Sequence, residues 1–494
     1  MKDTTLGTET AVRHTGGTEP LVAGVDIATA EVRVEIRDGG GELAATAATA
    51  LPRPVHGADG SAEQDARSWW PAVRDTLARC TAELGDRSRA ITALAVCATS
   101  GTVTAVNSAT EPVAPAIMYD DRRGAEHAAL ARRAGAGRWD DIGITPSPTS
   151  GLAHLALLAE RTEDPGSRLL HTPDLIAERL VGHPVATDSS HALKSGYDPL
   201  RRQWVHEALD SVGVEPARLP DVVAPARPLG VVSGRAAAET GLPAGCEVRS
   251  GMTDGCAGQL AAGAVDTGRV VTVLGTTLVL KAVSAELVHD PTGVIYSHRH
   301  PEGGWLPGGA SNTGGEALAD VTDELAELDR AAAARGPAGV LCYPLRRQGE
   351  RFPFSDERAR GFLSGEPGDE VELHRARLEG VAFCEKLALR RLDSLGAPVT
   401  GPIRTAGGGA RSLTWCRIRA SVLGEPVLRV PRAGTPLGAA LLAACGTLHP
   451  DLGTAAAAMT PEAESVEPVP GEVARLAESY EAFHAELAGR GWLS

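Results

Sequence analysis

The sequence predicts an α/β protein built from two similar domains, and three observations predict it. Apolar, β-leaning runs alternate with helical stretches at a spacing that builds mixed layers. A hairpin pattern near the N-terminus returns half a chain later. Val25-Asp26-Ile27-Ala28-Thr29-Ala30 and Val273-Leu274-Gly275-Thr276-Thr277 each run from an apolar strand through a small residue and a Thr into a return strand. The length, 494 residues, suits about three domains, or two large ones, at roughly 150 residues each.

The elements follow in order. The first strand is Leu21–Ile27, with Asp26 near its end. Alternation resumes over 32–36, and Asp38-Gly39-Gly40-Gly41 marks a loop, which together read as a β-hairpin. Residues 66–84 predict a helix and 91–97 a strand. The small-residue turn Ala98-Thr99-Ser100-Gly101 then leads into a strand over 102–106. The second hairpin comprises Val270–Leu274, the turn Gly275-Thr276-Thr277, and a strand over 278–283. Residues 331–338 read as an Ala/Gly/Pro-rich loop or helix end, and 373–395 carry helical periodicity. Ile403–Ala406 is a strand that runs into Gly407-Gly408-Gly409. Residues 436–445 predict a buried Ala-rich helix and 472–490 a charged amphipathic one. The best domain boundary lies over 251–266, just before the second hairpin. The first 20 residues are polar and Thr/Gly-rich, lack the apolar centre of a secretory signal, and read as a disordered tail.

Composition excludes whole classes of partner. Lys and Arg total 48 against 63 Asp and Glu, a formal charge of −15. Such a surface repels phosphate backbones, and 3% aromatics leaves few platforms for stacked bases, so nucleic acid is not an expected partner. The longest apolar stretches, such as 437–445, fall far short of the ~20 residues of a membrane helix. Cysteines stand at 80, 97, 246, 256, 342, 384, 416 and 445, none in C-x-x-C spacing. That argues against zinc or a disulfide framework and for buried, reduced thiols in a cytoplasmic protein. An anionic ligand would have to be held locally, by backbone N–H groups or a metal.

Several motifs could carry chemistry, each beside a plainer structural reading. Asp26 ends a buried strand, where a carboxylate is costly without a cation or donors. It is a magnesium ligand, direct or through water, or a turn cap. Ala28-Thr29 and Gly275-Thr276-Thr277 either cradle phosphate through backbone N–H groups and a hydroxyl, or are ordinary turns. No G-x-x-x-x-G-K-[ST] loop occurs. Asp254, between glycines at 251 and 255, opens a small-residue helix as its N-cap or as a general base for a hydroxyl proton. Gly407-Gly408-Gly409-Ala410 follows a strand and precedes a helix with Trp415. It is bare enough for a planar ring or a phosphate, lacks the G-x-G-x-x-G fingerprint, and reads otherwise as a flexible turn. Tyr119-Asp120-Asp121-Arg122-Arg123 is a solvated ion-pair run or a grip on a hydroxyl-rich ligand. Gly308-Gly309-Ala310-Ser311-Asn312-Thr313-Gly314-Gly315 exposes more backbone than a turn needs.

Taken in order, Asp26 to Thr29, Tyr119-Asp120-Asp121-Arg122, Asp254, Gly275-Thr276-Thr277 and Gly407-Gly408-Gly409-Ala410 resemble the FGGY carbohydrate kinases of the actin/hexokinase/Hsp70 superfamily, over residues 21–446. Longer stretches resemble the D-ribulose kinases of cyanobacteria and plant plastids. These are Ala98-Thr99-Ser100-Gly101-Thr102, Pro115-Ala116-Ile117-Met118-Tyr119-Asp120-Asp121-Arg122, His191-Ala192-Leu193-Lys194-Ser195-Gly196-Tyr197-Asp198, Tyr296-Ser297-His298-Arg299, residues 308–315 and Gly349-Glu350-Arg351-Phe352-Pro353.

The resemblance implies two actin-like (ribonuclease H-like) α/β domains with a cleft between them. Residues 21–252 would bind sugar and phosphate, 253–446 the nucleotide, and 447–494 would form a helical extension. It implies ATP and Mg2+, a small sugar or polyol, no membrane, a monomer or homodimer, and the cytoplasm. By resemblance Asp26 serves the magnesium and the sugar, Thr29 contacts the transferred phosphate, and Asp254 is the base at the sugar. Ser100, Tyr119, Asp120 and Arg122 would touch the sugar; Gly275, Thr276, Thr277, Gly314, Gly407, Gly408, Gly409 and Ala410 would hold the nucleotide. The expected activity is transfer of the γ-phosphate to the terminal hydroxyl of a ketopentose, D-ribulose first. The alternatives are D-xylulose, L-ribulose, erythrulose or glycerol, or a nucleotide-binding regulator without sugar chemistry. Two departures stand out: Ala28, where the family usually has Gly and a β-carbon would strain a positive-φ backbone, and Cys97-Ala98, where the ribulose kinases usually have Asp-Gly.

Overall fold

The opening hairpin seeds a six-stranded sheet. In this computed structural model, which describes residues 19–162, 164, 166–321 and 325–493, strand β1 (Leu21–Ile27) is buried throughout. Strand β2 (Glu31–Asp38) alternates half-buried and buried residues, so one face meets the core and the other a cleft. Strand β3 (Leu43–Ala50) continues the meander. On its other side β1 pairs in parallel with β4 (Ile91–Ala98). β4 pairs in parallel with β6 (Glu247–Arg249), and β5 (Pro228–Val231) closes that edge antiparallel. Helices α1 (Trp69–Leu84) and α2 (Thr172–Val181) cover the outer face, where Trp69, Leu77 and Leu175 join Val25 and Val34 in one core. Residues 1–18 of the expected tail lie outside the described residues.

The second sheet repeats the plan. β7 (Val270–Leu274) pairs antiparallel with β8 (Leu278–Ala282) and in parallel with β11 (Ile403–Ala406). Beyond β8 come β10 (Trp305–Ala310) and β9 (Tyr296–Arg299); beyond β11 come β12 (Val427–Arg429) and β13 (Glu464–Val466). From β3 to β5, and from β10 to β13, the sheets read alike: two antiparallel pairings, two parallel, then an antiparallel edge. The short repeat in the sequence is therefore a repeat of topology. Helices α4 (Glu370–Ser394), α5 (Leu413–Leu423) and α7 (Pro470–Gly489) cover its outer face around Phe383, Trp415 and Tyr480.

The expected elements fall within a few residues of the observed ones, with two instructive differences. The helix expected from residue 66 begins as a 3-10 turn, Ala66–Ser68, because the Asp65 side chain accepts the Arg67 N–H; the α-helix starts at Trp69. The segment expected as a helical extension also supplies β13 to the second sheet and buries Tyr480 and Phe483 in its core. All eight cysteines are buried and unpaired. No described helix is long and apolar enough to cross a membrane.

Two helices fill the space between the sheets. α3 (Asp254–Ala261) and α6 (Thr435–Ala444) pack together and against β1 and β4, with Cys256, Leu260 and Leu441 meeting Val22, Ala93 and Ala95. Small residues make this possible. A β-carbon at Gly438 would lie 2.0 Å from the Ala257 carbonyl oxygen, and one at Gly24 of β1 would lie 1.9 Å from that of Pro436. Gly438→Ala should therefore destabilise the protein by about 1–3 kcal/mol through overpacking, read as a lower urea midpoint. A wild-type midpoint would show that the two helices part without cost.

Candidate active site

Asp26 and Asp254 come together because the segments before them run side by side. Asp26 lies opposite Cys97 and Ile27 opposite Ala98 in the parallel β1–β4 pair, and Ala98 bridges in turn to Thr253. Gly251 lets this last segment press onto β4, since a β-carbon there would lie 1.8 Å from the Val96 carbonyl oxygen. Thr253 stands at the N-cap of α3, and Asp254 is its first residue. Asp26 thus sits at the C-terminal end of a parallel strand and Asp254 just beyond that of another, where α/β sheets bind ligands.

Their surroundings differ. Asp26 is fully buried, and its Oδ2 accepts from Nε of Arg33, its cross-strand partner, at 3.0 Å, and also from Arg33 Nη2. Its Oδ1 has no partner. Burial pushes its pKa up to about 6; Arg33 opposes the shift and the Asp254 charge adds to it. Asp254 accepts the Gly255 N–H at 2.6 Å. Loss of solvent raises its pKa against that N–H and against the charges of His191, Lys281 and Arg33. His191 is fixed by Asp188 at 2.7 Å through Nδ1 and by the Ala98 carbonyl at 3.2 Å through Nε2. Burial works against the charge on His191, but the Asp188 carboxylate holds its pKa above the usual range. Ser100 Oγ, like Asp26 Oδ1, is buried without a partner. Buried polar atoms are rarely left unpaired, so each of these two is free to meet a polar ligand atom.

Asp254 also lines a cavity of about 920 Å³ between the sheets, together with Arg33, Gly275, Thr276, Thr277, Gly407 and Arg411 among others. The Gly275 N–H closes its hairpin on the Thr277 carbonyl at 3.0 Å. Residues 314–316 brace that hairpin from behind: the Gly315 N–H donates to the Gly275 carbonyl at 2.8 Å and the Glu316 N–H to that of Thr276 at 3.0 Å. Their loop is fastened by Glu350, which accepts Ser311 Oγ, Thr313 Oγ1 and Tyr343 OH, each at 2.9 Å, and the Asn312 N–H at 2.6 Å. Gly407 turns at φ 84° against the Leu274 carbonyl.

Several expected site residues stand elsewhere. Thr29 is at the first hairpin tip but does not line the cavity; its carbonyl accepts from Gln64 Nε2 at 2.9 Å. The Ala28 N–H is used by the hairpin, donating to Glu31 O at 3.0 Å. Ala28 is also absent from the described non-glycine residues with positive φ, so it carries no strain for Gly to relieve. Gly314 lies beneath the second hairpin, where a β-carbon would sit 2.4 Å from the Thr277 carbonyl carbon. Gly409 and Ala410 face inward; a β-carbon on Gly409 would meet Leu274 Cδ2 at 2.4 Å. Gly408 does line the cavity.

In the acid–base run, Asp121 is the anchored residue, taking the Ala62 N–H at 2.8 Å and Arg123 Nε at 3.1 Å. Asp120 and Arg122 are consequently turned to the surface, where Asp120 meets His56 Nε2 at 2.9 Å. Tyr119 is 43% exposed; partial burial, then the charges of Asp120 and Asp254, raise its hydroxyl pKa. Arg33, Lys281 and Arg411 are not among the expected site residues, and His191 stands in a resembling stretch to which no role is attached. Arg33 is legible, because a tight hairpin pairs it with Asp26, and Arg411 directly follows the glycine-rich turn at 407–410; Lys281 comes from a distant segment with no local signal.

Magnesium fits these residues. Among the described residues no group of three or more His, Cys, Asp or Glu could form a protein cage. Magnesium asks for less, one or two carboxylates with water and phosphate oxygens, and Asp26 offers the unpaired Oδ1.

The family model for the FGGY family of carbohydrate kinases, N-terminal domain, matches residues 21–261, and its C-terminal counterpart matches residues 270–447. The chain is 31% identical over 437 residues to a xylulose kinase of Streptomyces rubiginosus, covering 86% of this chain and 88% of that one. Its structure is similar to that of a xylulose kinase from Rhodospirillum rubrum, with a TM-score of 0.85 at 27% identity over 95% of this chain and 98% of that one. The fold is also that of a Plasmodium falciparum glycerol kinase, with a TM-score of 0.84 at 14% identity over 96% and 99% of the two chains. The two sheets with their helices are thus the two actin-like domains expected from the sequence.

The Asp26 environment has a measurable consequence in the metal-free protein. Between the ordinary value of 3.8 and about 6, the folded chain keeps a proton that the unfolded chain has lost. Stability therefore falls as pH rises through that window and stays lowered above it. Asp26→Asn, uncharged throughout, should gain on wild type by about 1–3 kcal/mol between pH 4 and pH 7 in denaturant titrations. A pH-independent difference would mean that Asp26 is not held in this way.

Proposed function

The chain belongs to the FGGY family of carbohydrate kinases, with ATP and a sugar as its substrates, and from that premise we propose that it phosphorylates the terminal hydroxyl of a ketopentose, D-ribulose first. The observation that carries the reading is the position of Asp254. Asp254 lines the cavity with Gly275, Thr276 and Gly407, and its charge bears on Asp26, whose Oδ1 is unpaired and whose partner Arg33 lines the same cavity. A carboxylate on the wall of such a cavity, close to a second carboxylate with a free oxygen, suits a general base.

In this reading residues 21–252 hold the sugar and 253–446 the nucleotide. Asp254 accepts the hydroxyl proton as the sugar oxygen attacks the γ-phosphate. Its raised pKa makes it a stronger base and moves the acid limb of activity above the ordinary carboxylate range. Thr276, Gly407 and Arg33 bound the space for the phosphates, and the Arg33 guanidinium offsets charge as it develops. Bound Mg2+, held through Asp26, would neutralise the phosphate oxygens. Positioning and electrostatics carry most of the catalysis in such transfers.

D-ribulose is favoured by the stretches Tyr296-Ser297-His298-Arg299 and 308–315. The names of the xylulose kinase relatives favour D-xylulose as the second reading. ADP release across D-ribulose, D-xylulose, L-ribulose, erythrulose and glycerol separates them. The highest kcat/KM is expected on D-ribulose; a higher value on D-xylulose selects the second reading, and sugar-independent ADP release overturns both. Asp254→Asn should lower kcat about 10²–10⁴-fold with ATP affinity retained, and near-wild-type turnover would remove Asp254 from the role of base. Asp26→Ala should raise the magnesium concentration needed for half-maximal turnover, and an unchanged magnesium curve would return Asp26 to a structural role.

A further inference from the structure

β8 carries a charge where its pattern calls for an apolar residue. Val279 lines the phosphate cavity, and Val283 packs with Cys256 and Leu260 of α3. Strand alternation puts Lys281 on the same face between them, toward the helix that begins with Asp254. Lys281 is only 3% exposed, forms no ion pair among the described residues, and its Nζ has no hydrogen-bond partner. Unpaired buried ammonium groups are costly and therefore rare.

The charge of Lys281 reaches the Asp254 carboxylate, but no carboxylate among the described residues lies within ion-pair distance of Nζ. The Tyr296 ring lies 5.1 Å from Lys281 Nζ, and Lys194 sits 3.9 Å over the same ring from the opposite half of the molecule. His298 is buried nearby, with Nδ1 3.3 Å from Ser190 Oγ. Lys194 and Tyr296 open onto a second cavity, of about 250 Å³, lined also by Thr149, Ser150 and Arg351 and by no carboxylate. Lys281 is in the wall of neither cavity; it lies between Val279, which lines the phosphate cavity, and the ring of Tyr296, which lines the second. The partner it calls for is a group that accepts without donating, apart from the phosphates.

A ketose has one such atom, its carbonyl oxygen; its hydroxyls can donate to Asp26 as well as accept. Resting on the sugar kinase reading above, we propose that Lys281, beside Tyr296, receives the carbonyl oxygen of an open-chain ketose and selects ketoses over the corresponding polyols.

The test compares kcat/KM for D-ribulose and for ribitol in wild type and in Lys281→Met, with the thermal midpoint of each protein. A charged hydrogen bond of this kind should make the ketose-to-polyol ratio fall about 10- to 100-fold in the variant. The midpoint should hold or rise, because Met removes an unpaired buried charge. A ratio that does not change, or an equal fall on both substrates, overturns the assignment. Should the Met variant fail to fold, Lys281→Gln is measured instead: a lowered ratio supports the assignment and an unaltered one overturns it. Wild-type protein with no sugar-dependent ADP release would overturn the ketopentose reading itself, and this assignment with it.

Discussion

The contact between α3 and α6 sets the geometry of everything that follows. The helices touch backbone to backbone at Gly438 and Ala257, and α6 lies on β1 at Gly24. Gly24 and Asp26 share one face of β1, two residues apart, and Asp254 begins α3. The separation of the two carboxylates is therefore held by a strand and two helices whose contacts at Gly24 and Gly438 admit no side chain. Burial around these contacts is almost wholly Ala, Leu, Val and Cys, so apolar packing holds them shut. Two charged groups are kept close at a cost that solvent exclusion makes visible in the raised pKa of each.

A chain of net charge −15 that handles anions must separate its long-range field from its local one. Arg33 and Arg411 line the large cavity, His191 lies beneath Asp254, and Lys194 and Lys281 flank Tyr296. The positive charge is gathered at the cleft while the surplus of acid is spread over the surface. Short-range contact, strengthened where water is excluded, outweighs repulsion that salt screens beyond a Debye length of about 8 Å.

The architecture was legible in the sequence to the extent that its causes are local. Alternation and turn residues located both opening hairpins, and glycines on either side of Asp254 announced a helix start. The paired topology was visible only as a short echo around Thr29 and Thr276, because the remaining strands match in order and direction without matching in residues. Glycine was the least readable signal. Gly407 and Gly408 border the cleft, whereas Gly314 and Gly409 are bare because backbone or Leu274 occupies the space of a β-carbon. A motif cannot tell those causes apart. In 119–123 the paired acid and base proved to be Asp121 and Arg123, a distinction set by the Ala62 N–H from another strand. Arg33 needed only the hairpin register, whereas Lys281 needed knowledge of what faces β8.

Glu350 has a mechanical meaning. Its carboxylate gathers donors from the loop at 311–313, from Tyr343 and from the Arg351 N–H at 2.9 Å, and the residues that follow that loop, Gly315 and Glu316, hold the carbonyls of Gly275 and Thr276. The phosphate-facing hairpin is thus riveted to its sheet and cannot flap by itself. Any clamping of this cleft has to swing a whole sheet as one stiff jaw, with the bending confined to the chain segments that cross between the halves.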